Sequence, residues 1–431
     1  MHHSSHAHSP HSVHADKAKE ASLRSFFANR FVQSILLSAV FLQLGIWIRN
    51  FAVLLFVTEQ TNKDPVAISL ISLAEFAPIF IFSFIGGAFA DRWRPKRTMV
   101  LCDAFSAISV FGVLAALMFG GWQAIFFATL VSSILSQFSQ PAGMKLFKQH
   151  VQQSQLQMSM SMYQTVQAIF MVLGPMLGTL IYFRFGIQAA IGIMGICFLL
   201  SAGVLLFLPA DHREEQAAAR QLTQELKLGL TYVLANKLFL FMGGFSLAAG
   251  LALGLMNPMA IFLITEHLNM SAQSLQWFTA VNGAGMILGG MLVMGLSRKI
   301  TPQTMLLVGF SANSLAVAVM GTTDVVWLAI AAQFLSGLMV PFIHVACQTI
   351  ILTRAEEAFV GRVSGIISPL FIGGMVVNMS LVGPLKAVLP LSGIYLMAAG
   401  LFVIGALASV PLFLHRRQSQ QRDTRATIMH H

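Results

Sequence analysis

The sequence predicts an all-α polytopic membrane protein: twelve transmembrane helices in two six-helix halves, with both termini in the cytoplasm. Three observations carry this. First, 56% of the 431 residues are hydrophobic and only 10% are charged, against about 25% charged in a soluble domain. Mean hydropathy is +0.75. A soluble enzyme, a disordered chain and a fibrous repeat are excluded. Second, the chain holds twelve apolar runs long enough to cross a bilayer core, which takes about 20 helical residues. Third, the basic residues alternate in density from one connection to the next.

The runs fall near 31–57, 66–90, 98–119, 122–141, 157–183 and 187–208, then 238–264, 272–296, 303–321, 325–352, 361–385 and 390–414. They are too long and too rich in Gly for barrel strands, which run about 10 residues and alternate. Met1 to Arg30 lacks the short apolar core of a cleavable signal peptide, so the first run is expected to remain as a span. Residues 1–30 form a His-rich cytoplasmic tail, 31–208 the N-terminal half, 209–237 a cytoplasmic linker, 238–414 the C-terminal half and 415–431 a second tail. Within the linker, Gln216 to Leu230 has helical spacing and reads as a surface helix at the inner membrane face. Alternate connections starting from the N-terminus hold 22 of the 26 Lys and Arg residues; the others hold Lys63, Arg184 and Lys386, and Arg49 lies within a span. This bias assigns both termini to the cytoplasm, and an odd number of spans would scramble it. The net charge of +10 is thereby accounted for by topology, with no nucleic-acid partner. Cys102, Cys197 and Cys347 lie within apolar runs at no metal-binding spacing and read as packing residues.

Ionisable groups inside spans are informative because each costs about 2.5–3.5 kcal/mol to insert. Arg49 lies in the outer half of the first span and Glu75 near the middle of the second. Both sit roughly 12–14 Å below the outer surface at 1.5 Å per residue, so antiparallel neighbours can bring them together. They form either a structural ion pair or a proton site in which Glu75 takes up the proton and Arg49 tunes it. His344, in the tenth span, could titrate, bind substrate or join two helices. Asn50, Gln137, Gln164, Gln167, Asn257, Asn282, Gln348 and Asn378 are the amides expected to line a substrate cavity or to bridge helices. Pro258, after Asn257, and Pro78 are expected to bend their spans. The Met and Phe content (24 and 35) suits a cavity that adapts to apolar ligands, and equally suits lipid-facing packing. His2, His3, His6, His8, His11, His14, His430 and His431 could bind a transition metal, but they read as disordered tails, and no metal or cofactor is expected.

The loop after the second span, GGAFADRWRPKR, resembles the loop signature of the major facilitator superfamily. The match is Gly87, Asp91, Arg92, Lys96 and Arg97, with Arg94 and Pro95 replacing the family's usual Gly and base. The resemblance implies that Asp91 and Arg92 control the conformational switch. Asp103 resembles an Asp found in the third span of the macrolide-efflux-like drug:proton antiporters, which implies a part in proton coupling. Pro141-Ala142 resembles that branch's turn after the fourth span. Gly174-Pro175-Met176-Leu177-Gly178 resembles the core of the antiporter motif of the fifth span, lacking its outermost glycines (Phe170 and Thr179 stand there), and implies a helix bend. Gly361-Arg362-Val363 resembles the basic turn before the eleventh span. The resemblance covers about residues 25–415.

Secondary export follows from these features: an amphipathic drug-like molecule or secreted metabolite leaves by alternating access, with protons entering in exchange. Expected partners are the small molecule, protons and the bilayer of a bacterial cytoplasmic membrane, with the chain a monomer. A dedicated siderophore exporter and a lysophospholipid carrier are alternatives within the class; a sensor on a carrier fold is the alternative outside it. No HExxH, GxSxG or GxxxxGK[ST] motif occurs, which argues against a membrane enzyme and against ATP hydrolysis by a P-loop.

Overall fold

The computed structural model describes residues 30–92, 94–150, 153–208, 222–296, 299–356 and 359–429. Among these every regular element is a helix. They are α1 (Arg30–Gln60), α2 (Pro65–Arg92), α3 (Pro95–Met118), α4 (Ala124–His150), α5 (Gln153–Leu206) and α6 (Leu222–Ala235). There follow α7 (Lys237–Phe262), α8 (Leu275–Leu296), α9 (Pro302–Thr322), α10 (Val326–Arg354), α11 (Val360–Lys386) and α12 (Leu391–Met429). The His-rich N-terminal tail and the linker residues 209–221 lie outside the described residues, as do His430 and His431.

Ten stretches among the described residues are long and apolar enough to cross a membrane. Two of the predicted spans escape that criterion. The fifth and sixth join in α5, broken only at Gly186 (φ 78°, ψ 178°). One residue in the left-handed region, which glycine enters freely, reverses the chain there without a loop. The fourth lies in α4, a helix from Ala124 to His150, of which Ala124–Ser139 is an apolar stretch among the described residues. The expected linker helix is seen from the first described residue of that segment onward. The spacing predicts it over Gln216–Leu230; among the described residues it covers Leu222–Ala235, five residues beyond the expected end, and is held by Tyr232 stacked on Phe359 at 4.2 Å. Asn236 then caps α7, its side chain accepting from the Leu238 amide at 3.0 Å. Beyond Pro258, α7 ends in a π-turn at Leu263–His267.

Within the first half, α1 packs closely on α5, and α3 packs on both α4 and α5, while α2 rests on α4. Within the second, α7 packs on α11 and α12, α8 on α10, and α9 on α10 and α12. Glycines set these distances, as small residues do where membrane helices cross closely. A Cβ on Gly250 would stand 2.0 Å from the Phe371 carbonyl oxygen, and one on Gly289 2.2 Å from that of Leu338. Gly174 and Gly178 hold α5 against Trp47 and Phe51 of α1: a Cβ on Gly174 would lie 2.4 Å from the indole Cγ. These two residues of the antiporter-like motif therefore set a packing contact inside the first half, in addition to flanking Pro175. Gly174→Ala is expected to destabilise the protein by about 1–3 kcal/mol through overpacking. A fall in the midpoint of thermal aggregation, followed by size-exclusion chromatography, checks this.

The two halves meet along α2–α11 and α5–α8, with a smaller contact between α2 and α7. Among the described residues neither α1 with α7 nor α4 with α10 forms a substantial contact. The α2–α11 contact reaches the face carrying residues 61–64 and 387–390. There Gly383 lies against Pro65, Val66 and Ser69. This is the face that carries few of the lysines and arginines.

Candidate transport site

Arg49 and Glu75 come together as their depths predict. Arg49 and Asn50 lie about 15 Å below the end of α1, and Glu75 about 15 Å below the start of α2. The guanidinium is buried at 4% exposure. Its Nη2 stands 3.8 Å from Glu75 Oε1, too long for a hydrogen bond. Asn50 supplies the link between them. Arg49 Nε and Nη2 both donate to Asn50 Oδ1, at 3.0 and 2.9 Å, and Asn50 Nδ2 donates to Glu75 Oε1 at 2.7 Å. Arg49 Nη1 donates to Ser132 Oγ on α4. The result is a cation, an amide and a carboxyl in series across three helices. Such a series can pass a change at Glu75 to α1 and α4: a proton on the carboxyl weakens the Asn50 contact and leaves Arg49 without a counter-charge.

Sequence reading grouped Asp103 with this pair, whereas the structure puts it in a second cluster. Asp103 is 2% exposed and accepts from Ser201 Oγ at 2.5 Å; Ser201 in turn lies 2.8 Å from Ser38 Oγ. The cluster is built from α1, α3 and α5, and no described lysine or arginine forms an ion pair with Asp103.

The predicted cavity residues sort into two groups. Asn282 donates to the Gln333 carbonyl at 3.3 Å, and Asn378 to the Leu251 carbonyl at 2.8 Å; both join helices within the second half. Asn257 contacts Met375 Sδ at 3.9 Å. Gln137 donates to Ser136 Oγ at 3.2 Å, and Gln167 is half-buried on α5. Gln164, His344 and Gln348 are exposed, the last two one turn apart on α10. Pro175 and Pro258 are buried within α5 and α7.

The side chains of Gly87, Asp91 and Arg92 lie outside the described residues; their backbone completes α2. Lys96 and Arg97 lie in the first turn of α3. Lys96 Nζ donates to the Leu206 carbonyl at 2.9 Å and to that of Leu208. It thus caps the carbonyl end of α5, tying the basic loop to the last span of the same half. Arg97 is exposed. Sequence reasoning did not single out Ser132, Ser201 or Ser38. Serines are common in membrane helices, and nothing in their spacing marks them as partners of a distant charge.

The sequence profile of the Major Facilitator Superfamily matches residues 35–256 and 241–429. The chain belongs to this superfamily. The chain is 24% identical over 372 residues to the MFS-type transporter YkuC of Bacillus subtilis (strain 168), covering 83% of this chain and 85% of that protein. It is 22% identical over 413 residues to the enterobactin exporter EntS of Escherichia coli O1:K1 / APEC, covering 93% and 94%. Among solved structures, a point variant of the nucleoside transporter NupG superposes with a TM-score of 0.74 at 16% identity, over 89% of this chain and all of that one. A bacterial homologue of the human lysosomal transporter Spinster, in an inward-facing and unoccupied conformation, gives 0.66 at 13% identity, over 90% and 97%. These likenesses confirm the expected fold. The superfamily membership makes this a multi-pass membrane transporter of small molecules, not an enzyme.

Proposed function

We infer that the chain is a proton-coupled exporter of an amphipathic small molecule, working by alternating access in a bacterial cytoplasmic membrane with both termini inside. One observation carries this reading: an ionisable carboxyl, Glu75, joined through Asn50 to a buried arginine at mid-membrane depth. A proton taken up by Glu75 on one side of the membrane and released on the other would couple its gradient to the α1–α2–α4 arrangement. Asp103, buried among serines with no cationic partner among the described residues, is a second candidate for protonation. Asp91 and Arg92 take the switch role implied by the loop motif, at the charge-rich end of α2. Gln164, Asn257, His344 and Gln348, exposed on α5, α7 and α10, are the amide and imidazole groups offered to cargo. Because Arg49 is occupied, the arrangement favours neutral or cationic cargo over anionic cargo. The relationship to the enterobactin exporter supports a second reading, dedicated export of a siderophore.

Reconstituted vesicles test the proposal. With an imposed pH gradient, uptake of the cargo into inside-acidic vesicles holding inverted protein should saturate and collapse on adding a protonophore. Flux that ignores the gradient would remove proton coupling. Secretion profiles of cells with and without the chain separate the cargoes: a change in drug tolerance alone supports a broad exporter, and loss of one secreted chelator the dedicated one.

A further inference from the structure

A cavity of about 460 Å³ opens where the end of α1 meets the break in α5, and no part of the transport site reaches it. Its walls include Phe56, Glu59, Gln60, Tyr182, Phe183 and Gly186. That size lies within the usual range for a small-ligand pocket, about 300–1,000 Å³. Nine residues separate Asn50 from Glu59, which places the cavity about 13 Å further along α1. Nine steps of 100° also put the two side chains on opposite sides of that helix. Asn50 turns to α2 and Glu59 to α5, as their contacts show.

Glu59 is held in place. Tyr182 Oη donates to its Oε2 at 2.6 Å, and Tyr182 is only 7% exposed, so the phenol is a fixed anchor. Among the described residues no lysine or arginine forms an ion pair with this carboxyl, although Lys63 and Arg184 lie close in sequence. Around it stand aromatic rings: Tyr182 and Phe183 meet edge to face at 5.3 Å, and Phe56 completes the wall. Gly186 keeps the space open. It adopts the left-handed conformation, and a Cβ there would meet nothing within 4 Å.

We propose that this cavity is a binding site for an organic ammonium group, with Glu59 as its counter-ion and the rings of Tyr182, Phe183 and Phe56 as its cation–π walls. A fixed carboxylate without a cation, beside aromatic faces at a membrane surface, matches an alkylated ammonium better than a metal ion. A metal ion would need further oxygen ligands, whereas an ammonium gains from the rings. The group could belong to a phospholipid headgroup or to a free cationic amphiphile. The site stands apart from Glu75, so it does not depend on the proposed coupling.

The experiment is equilibrium binding of a dansyl-labelled trimethylammonium probe to the full chain in nanodiscs of phosphatidylglycerol, which has no ammonium. Saturable binding is expected. Glu59→Gln should weaken it by about tenfold or more and Tyr182→Phe by a few-fold. Phe183→Ala, which leaves the carboxyl in place, gives an independent arm and should also weaken binding. Competition by added phosphatidylethanolamine assigns the site to a lipid headgroup; undiminished binding assigns it to a free cation. Equal binding by the Glu59→Gln variant, with an unchanged thermal midpoint, overturns the proposal. So does equal competition by a neutral tert-butyl analogue of the probe.

Discussion

Glu75→Gln is expected to abolish gradient-driven export while leaving an inserted, folded transporter. Glutamine keeps the shape, and its amide oxygen can still accept from Asn50 Nδ2, the bond now made at 2.7 Å. What it loses is the ability to bind and release a proton. Arg49 loses its counter-charge but keeps its bonds to Asn50 and Ser132, so the structural cost is smaller than that of a bare buried cation, about 3–5 kcal/mol. Uphill transport should fall at least tenfold, whereas exchange of labelled for unlabelled cargo across the membrane, which needs no net proton movement, should persist. A second variant separates coupling from simple ion pairing. If Arg49 and Glu75 only neutralise each other, the double substitution Arg49→Gln with Glu75→Gln removes both charges and should restore transport. If Glu75 carries the proton, the double variant stays uncoupled. Full coupled activity in Glu75→Gln alone refutes the assignment.

How far the sequence reached depends on the kind of signal each residue carries. Arg49 and Glu75 were legible because a charge in an apolar run is rare and depth follows from counting along a helix. Their true connection was not. The 3.8 Å separation is bridged by Asn50, and amides in membrane helices are too common to reveal which joins charges and which joins helices. Asp103 shows the same limit from the other side. Its burial could be read from its span, but its partners Ser38 and Ser201 lie on two other helices, far along the chain. The gap between the fifth and sixth runs, 184–186, was legible from hydropathy, and the helix breaks there at Gly186; that a single glycine makes the break without a loop was not, nor was the continuation of α4 as a helix to His150. The glycine contacts were least legible of all, because a glycine's role at a crossing is fixed by the backbone it faces.

Gly383→Leu is expected to force the halves apart at the face poor in lysine and arginine. Gly383 on α11 sits where a Cβ would lie 2.4 Å from Ser69 Oγ, 2.9 Å from Val66 Cα and 3.0 Å from the Pro65 carbonyl oxygen. The first neighbour can rotate away; the other two belong to the backbone of α2 and cannot. The deeper contact, Gly373 against the edge of the Phe80 ring, is softer, so the strain concentrates at the end of the seam. Overpacking costs about 1–3 kcal/mol, and in the proposed alternating-access cycle, where this seam parts when the face opens, the cost falls on the closed state. That shifts the ratio of open to closed by roughly 5- to 150-fold. Spin labels on Gln60 and Val388, one in each half, should move several ångströms apart, and export should slow as closure becomes rare. Gly383→Ala should give a weaker version of both effects. Pairing it with Ser69→Ala removes only the nearest clash, so the rescue should be partial. Complete rescue would mean that the hydroxyl, not the backbone of α2, sets the approach, and an unchanged label distance in Gly383→Leu would mean that this seam does not govern closure.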